Sequence, residues 1–172
     1  AIAESVSLPI LLYNIPGRTS RNMEPETIAR LSKIDNIVGI KEAAGDLDQV
    51  SAIKQLVADD FLIYSGDDAL TLPILERGGT GVVSVASHCV GPQIKALIED
   101  YNAGDTDKAQ RIHEQLMPIF EALFITTNPV PVKVAMNLLG FEVGSVRLPL
   151  VPATTDEITT IKAALETMLV ID

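Results

Sequence analysis

Apolar residues follow two different periods in the first half of the chain. Short apolar runs, typical of buried strands, occur at residues 10–15, 37–43, 61–65 and 81–85, and the second is rich in β-branched residues. Between them, apolar residues recur at the spacing of helices. Strand-length and helix-length segments that alternate in this way are typical of βα units. The pattern therefore predicts a parallel sheet with helices outside it.

Two helices between these strands have clear signals. The first opens around Glu24-Pro25, because proline fits the first turn of a helix. The second follows the strand at residues 37–43, where Asp46 is the predicted N-cap and Gln49 stands three positions later. Its predicted buried face consists of Leu47, Val50, Ile53, Leu56 and Val57.

After residue 85 the pattern indicates helices only. Predicted helices run from Pro92 to Gly104, from Asp105 with a kink at Pro118, from Pro129 to Leu139, and from a capping box at 154–157. Four βα units are too few for a (β/α)₈ barrel, which has eight strands and about 250 residues. We predict an α/β fold in which residues 1–104 form the second half of a TIM barrel and residues 105–172 a helical domain. An open four-stranded sheet is the alternative, and its apolar edges would pair with another chain.

Composition narrows the classes of function. The chain has 172 residues, of which 47% are hydrophobic, so a globular protein is expected. Its net charge of −10 and the lack of a Lys/Arg cluster argue against nucleic acid and membrane surfaces as partners, and favour small molecules. A single cysteine, no apolar run of membrane-spanning length and no signal peptide predict a cytoplasmic protein.

Lys41 is the most informative single residue. It ends an apolar strand, where alternation places it on one face with Gly39 and Ile37, while Val38 and Ile40 lie on the other. Desolvation favours the neutral amine, the form that attacks a carbonyl to give a Schiff base. The structural alternative is that Lys41 reaches solvent at the strand end, or pairs with Glu42 or Asp46.

Two motifs resemble those of one enzyme family. Residues 13–19, YNIPGRT, are similar to the tyrosine motif YNxPxRT of the dihydrodipicolinate synthase family, and residues 39–43, GIKEA, to its Schiff-base lysine motif. The agreement continues in order through residues 65–68, 78–85 and 128–133. The resemblance implies a pyruvate-dependent aldol condensation with L-aspartate 4-semialdehyde, giving 4-hydroxy-tetrahydrodipicolinate in lysine (diaminopimelate) biosynthesis.

The resemblance also implies roles for individual residues. Lys41 would form the imine with pyruvate, and Tyr13 would donate and accept the proton. Arg18 would bind the carboxylate of the semialdehyde, whereas Gly66 and the backbone carbonyl of Val83 would border the substrate. The side chain of Val83 is expected in the core. The imine needs no separate cofactor.

Several features of the family lie outside these motifs. Its first four strands are missing, and with them the paired threonines, the relay tyrosine lent across the dimer interface and most of the lysine feedback site. We therefore expect a fragment that is inactive alone, from a homo-oligomer, a tetramer by resemblance. The alternatives are another pyruvate-type aldolase, such as N-acetylneuraminate lyase or a keto-deoxy sugar acid aldolase, and a non-catalytic half-barrel that only associates with other chains.

Other polar residues are weaker candidates. Asp67 and Asp68 border the same end of the predicted sheet, but helix capping explains them better. Gly78-Gly79-Thr80-Gly81 precedes a strand, so a tight turn accounts for it better than a phosphate cradle does. His88, His113 and Cys89 lack the spacing of metal ligands, and no metal is expected.

Overall fold

The computed structural model of the chain describes residues 1–168 and contains one parallel sheet. Its strands are β1 (Ile10–Asn14), β2 (Ile37–Glu42), β3 (Leu62–Ser65) and β4 (Gly81–Val82), and they lie in the order β1-β2-β3-β4. Every neighbouring pair is parallel. A parallel sheet in strict chain order is the arrangement of a (β/α)₈ barrel, so the predicted fold class is confirmed.

Eight α-helices accompany these strands within residues 1–168. Four of them lie between or beside the strands: α1 (Pro16–Thr19), α2 (Pro25–Leu31), α3 (Leu47–Leu56) and α4 (Thr71–Leu75). The other four follow β4: α5 (Ser87–Asn102), α6 (Thr106–Ala122), α7 (Val130–Leu138) and α8 (Thr155–Thr167). The predicted alternation of strands and helices, and the helical remainder, are thus confirmed. None of these helices is long and apolar enough to cross a lipid bilayer.

The strands pack against α2, α3 and α4 through an apolar core. Its members, each at most 7% exposed, are Ile28, Ile37, Ile40, Val50, Ile53, Phe61, Ile63 and Ile74. Asp46 caps α3 as predicted, since its carboxylate accepts hydrogen bonds from the backbone N–H groups of Asp48 and Gln49. Leu56 was placed wrongly on the buried face: it is 49% exposed, because α3 ends there.

Strand β2 departs from simple alternation at its start. The pairing of β1 with β2 is irregular between Ile10 and Leu11, which face Ile37 and Gly39. Since a slip of one residue moves a side chain to the other face of a sheet, Ile37 joins Ile40 in the helix-facing core. The prediction that Ile37 shares a face with Lys41 is therefore wrong, although Gly39 and Lys41 keep the expected spacing.

The chain divides into two compact units, one ending at Ser84 and the other starting at Val85. In the second unit α5 packs on α6, and α8 packs on both α6 and α7. Leu97, Leu116, Phe120 and Leu165 are buried there. The predicted domain boundary at residue 104 lies further along the chain than the change from strands to helices. That boundary stays a prediction.

Local signals in the second unit are mostly as expected. Asp105 caps α6, and Thr154 with Glu157 forms a complete capping box at α8. Helix α5 begins before Pro92, with a break at Val90, so the predicted start is late.

Candidate active site

Tyr13 and Lys41 meet at the carboxyl ends of β1 and β2. They are direct partners in the parallel register. The Nζ atom of Lys41 lies 4.3 Å from the centroid of the Tyr13 ring, within the range of a cation–π contact. Tyr13 is 48% exposed and Lys41 half-buried. One amine and one phenol thus share the end of the sheet where barrel enzymes place their chemistry.

On its other side, Lys41 faces β3. Tyr64 is its partner in that register, so Lys41 lies between Tyr13 and Tyr64 in the order of the strands. Just beyond the strand, a Cβ built on Gly66 would lie 2.6 Å from the Cβ of Ala43 and 3.1 Å from the Cε of Lys41. Because contacts this short require something to shift, glycine leaves room for the lysine side chain. The structure thus places Gly66 against Lys41.

Val83 and Arg18 are the other two residues predicted to bind substrate. The backbone N–H of Val83 donates a 2.9 Å hydrogen bond to the carbonyl of Ser65, which continues the β3–β4 pairing. Its side chain is 40% exposed, so the expectation of a core side chain is wrong; β4 ends one residue earlier. Arg18 is exposed in the short helix α1, directly after β1. Its contact with a substrate stays a prediction.

The helix-facing side of the same strand ends carries a buried carboxylate. Glu42 follows Lys41, is 2% exposed, and accepts hydrogen bonds from the Asn14 side chain (3.0 and 3.1 Å), the Ala44 backbone (2.7 Å) and the Gln49 side chain (3.2 Å). Burial raises the pKa of Glu42, while these hydrogen bonds act in the opposite direction. The alternative ion pair of Lys41 with Glu42 is therefore wrong, because the carboxylate is directed to the other face.

Asn22 extends this buried network toward solvent. Its side-chain oxygen accepts from Asn14 (2.9 Å), and its amide nitrogen donates to Gln49 (2.7 Å) and Glu24 (3.0 Å). The backbone N–H of Met23 donates to Asn14 (3.0 Å). The network thus joins β1, β2, α3 and the segment between α1 and α2.

Two cavities lie at opposite ends of these strands. One, of about 360 Å³, is lined by Tyr13, Asn14, Thr19, Arg21 and Glu24 among others. The other, of about 320 Å³, lies where β2 and β3 begin, beside Ile37, Val38 and Phe61. Only the first adjoins the carboxyl ends of the strands, which favours it as part of the site.

Several of the remaining candidate residues have structural roles. Asp67 accepts a hydrogen bond from the backbone of Ala69, which confirms helix capping. Gly78 has a positive φ of 79°, as a tight turn requires. Burial raises the pKa of the Cys89 thiol to about 11. No cluster of three or more potential metal ligands occurs within residues 1–168.

Sequence reasoning missed Tyr64 and the network around Glu42. Tyr64 carries no special motif, and only the strand register reveals its place beside Lys41. The signal for the network was present, because Asn14 and Glu42 are polar residues at helix-facing positions of apolar strands. A polar residue at such a position needs a partner, and the pairing of the strands supplies it.

Comparisons with known proteins agree along the chain. Residues 1–168 match the model of the family described as "Dihydrodipicolinate synthetase family". The 4-hydroxy-tetrahydrodipicolinate synthase of Synechococcus elongatus is 58% identical over 157 residues, which cover 91% of this chain and 52% of that protein. The chain thus spans about half the length of the relatives it matches.

Solved structures show the same correspondence. A crystal structure of the synthase from Cyanidioschyzon merolae with lysine bound has a TM-score of 0.97 and 47% identity, and covers 99% of this chain and 58% of that one. The chloride-inhibited synthase from Acinetobacter baumannii, complexed with pyruvate, has a TM-score of 0.94 and 33% identity, with coverage of 99% and 58%. The four βα units therefore correspond to part of that fold.

Proposed function

Because this chain belongs to the dihydrodipicolinate synthetase family, we propose that it contributes the imine-forming lysine of a lyase acting on pyruvate and L-aspartate 4-semialdehyde. The product is 4-hydroxy-tetrahydrodipicolinate, in the diaminopimelate route to lysine. The observation that carries the proposal is the contact of Lys41 with Tyr13 at the carboxyl ends of two parallel strands, where the Nζ atom lies 4.3 Å from the ring centroid. The pyruvate complex of the Acinetobacter baumannii relative supports the first substrate.

The chemistry assigned to Lys41 is nucleophilic. Its neutral amine attacks the keto carbon of pyruvate, and loss of water gives an imine. Removal of a methyl proton gives an enamine, whose carbon attacks the aldehyde of the second substrate. The register places Lys41 between Tyr13 of β1 and Tyr64 of β3, at the end of the sheet where the imine would form.

Tyr13 is the proposed proton donor and acceptor. A phenol of ordinary pKa near 10 is a weak base at neutral pH, so its proton needs a relay of further hydroxyl groups. The family resemblance assigns this relay to strands outside this chain, and to a tyrosine from a second subunit. We therefore propose that activity needs those parts and that the chain by itself is inactive.

Arg18, Gly66 and Val83 complete the proposed substrate site. A guanidinium after β1 suits bidentate binding of the semialdehyde carboxylate. Gly66 supports the proposal, because its missing side chain leaves space beside the Cε of Lys41. Val83 follows β4 and would direct its carbonyl to pyruvate. No cofactor is proposed beyond the covalent imine, and the assembly proposed by resemblance is a cytoplasmic homotetramer.

The proposal is tested by trapping the imine. The complete protein that contains this chain is incubated with pyruvate and borohydride, and intact mass and peptide mapping locate the adduct. We expect one pyruvyl group on Lys41, its loss in Lys41→Gln, and its retention in the control Lys33→Gln, which changes an exposed lysine. A folded wild-type protein without the adduct would contradict the Schiff-base assignment.

Trapping, combined with a turnover assay on each candidate substrate, separates the two alternative functions. A sugar keto-acid aldolase would also be trapped by pyruvate, but it would turn over N-acetylneuraminate or a keto-deoxy sugar acid instead of the semialdehyde. A non-catalytic half-barrel would give no adduct at all. The Arg18-Thr19 pair at the end of the tyrosine motif favours the semialdehyde, since those aldolases do not usually carry it.

A further inference from the structure

We propose that Glu42 and Asn14 are positioning residues, whose hydrogen bond on the helix-facing side of the sheet holds Lys41 and Tyr13 together on the opposite side. The inference rests on the proposed function, because it assigns the two residues to that imine chemistry. Neither residue is expected to touch substrate. They act through their neighbours in the chain.

The arrangement follows from strand geometry. Tyr13 precedes Asn14 and Lys41 precedes Glu42, and both pairs are in register between β1 and β2. Successive side chains point to opposite faces of a strand. The amine and phenol therefore meet on one face, while the carboxylate and amide meet on the other at 3.0 and 3.1 Å.

The surroundings of Glu42 consist of hydrogen-bond donors. The groups that contact its oxygens are all N–H donors, from Asn14, Ala44 and Gln49. Asn14 is itself held by the backbone of Met23 and by Asn22. Since Glu42 and Asn14 are each 2% exposed, neither side chain can turn to water for a substitute partner.

Sheet stability alone does not explain a buried charge at this position. Leu12 and Ile40, one rung earlier on the same face, join the strands to the core without polar groups. A buried carboxylate loses its hydration, and apolar residues of similar volume often stabilise a protein as well or better. The contribution of Glu42 is geometric. Its hydrogen bonds have defined lengths and angles, so they fix the orientation and register of the last residue pair between β1 and β2.

Reaction rate depends strongly on such placement. A displacement of about 1 Å at reacting groups can lower a rate by about 100-fold. Loss of the Glu42–Asn14 bond is therefore expected to lower kcat more than the affinity for pyruvate, since the pocket is kept while the reacting groups lose their alignment.

The test exchanges the two chemical groups across the contact. E42Q sets an amide against the Asn14 amide, and N14D sets a carboxylate against the Glu42 carboxylate. The double variant E42Q/N14D restores one donor and one acceptor with the polarity reversed. The control is I53V, which shortens a buried side chain of the same layer without touching the network. All are made in the complete protein, with kcat, KM for pyruvate, Tm and borohydride trapping measured on each.

The expected result is a fall in kcat of about tenfold or more in each single variant, with KM changed less than about threefold. The double variant should recover at least about half of the loss on a logarithmic scale, as coupled groups do. I53V should have a lower Tm than the wild type and an unchanged kcat. If E42Q does not fold, Q49A replaces it, because it removes one donor to Glu42, together with the contacts of Gln49 with Asn22, and leaves the Glu42–Asn14 bond in place. A fall in kcat of about threefold is then expected.

Two kinds of failure are distinguishable. If the wild-type protein gives no adduct on Lys41, the proposed function fails and the positioning role falls with it. If the wild type is trapped but folded E42Q or Q49A keeps its kcat, the positioning role alone is overturned. The positioning role is also overturned if I53V, at the same decrease in Tm as E42Q or N14D, shows the same decrease in kcat. It is overturned as well if the double variant recovers none of the lost kcat.

Discussion

Tyr13 and Lys41 illustrate how far a single residue determines chemistry. Each residue is a candidate from its motif and strand in the sequence, and the parallel pairing of β1 with β2 makes the two residues direct partners. The amine then lies over the face of the phenol ring at 4.3 Å. This contact brings together the two groups to which the proposed function assigns different tasks, nucleophile and proton carrier.

Replacing Tyr13 by phenylalanine should separate these tasks. In Tyr13→Phe, kcat is expected to fall by about 100-fold, because the proton carrier is lost, while borohydride still traps pyruvate on Lys41. Steady-state kinetics and intact mass measure the two effects. Tyr64→Phe is the matched control, since Tyr64 flanks Lys41 from β3 and has no assigned proton transfer. Equal losses of kcat in both variants would contradict the role of Tyr13.

Glu42 should give stability a distinctive pH dependence. Burial raises its pKa above the ordinary value of 4.5, so between these two values the folded state binds more protons than the unfolded state. The contribution of Glu42 to the free energy of unfolding is then greatest below 4.5, and it is lost as pH rises through the raised pKa.

Urea unfolding of the complete protein and of E42Q, over a series of pH values, measures this contribution as a difference. The variant is the reference because it lacks the titrating group while the other carboxylates remain. We expect the wild type to lose stability relative to E42Q as pH rises above 4.5, and the difference then to level off. A difference that grows in favour of the wild type over that range would show that the pKa is lowered instead.

At the scale of elements, the spacing of β2 and β3 sets the room available to Lys41. The backbone N–H of Gly66 donates a 2.7 Å hydrogen bond to the carbonyl of Glu42, so the segment after β3 lies directly against the end of β2. No side chain fits there without moving Ala43 or Lys41. The predicted strands were sufficient to place these segments near each other, but their closeness depends on pairing.

Gly66→Ala tests this spacing. The added methyl group is expected to destabilise the protein by about 1–3 kcal/mol through overpacking, and to reduce pyruvate trapping on Lys41. Denaturant unfolding and the borohydride assay measure the two effects. Gly17→Ala is the control, because a Cβ there meets no atom within 4 Å. If both alanine variants trap pyruvate equally well, Gly66 does not shape the lysine site.

At the scale of the whole molecule, the sheet has two unpaired edges within residues 1–168. Strand β1 pairs only with β2, and β4 only with β3. Beside the β1 edge, Leu11 is 40% and Tyr13 48% exposed. Exposed strand edges with apolar neighbours are templates for pairing with another chain.

The isolated chain is therefore expected to self-associate. Light scattering after size exclusion should give species larger than the 18.4 kDa monomer. Addition of the remaining barrel segment of a relative as a separate chain should convert them into a defined complex. A monodisperse 18.4 kDa monomer with a cooperative thermal transition would contradict this expectation.

The sequence by itself determined the order of strands and helices, the parallel sheet, the caps at Asp46, Asp105 and Thr154, and the choice of Lys41 and Tyr13. These features depend on periodicity, capping chemistry and motifs, which are local or contiguous in the chain. Only the tertiary structure decided which residues pair across neighbouring strands. It decided the irregular pairing that moves Ile37 into the core, the position of Tyr64 opposite Lys41, and the hydrogen bond from Asn14 to Glu42. Register joins residues about 28 positions apart, and a shift of one residue reverses every face, so no local pattern contains it.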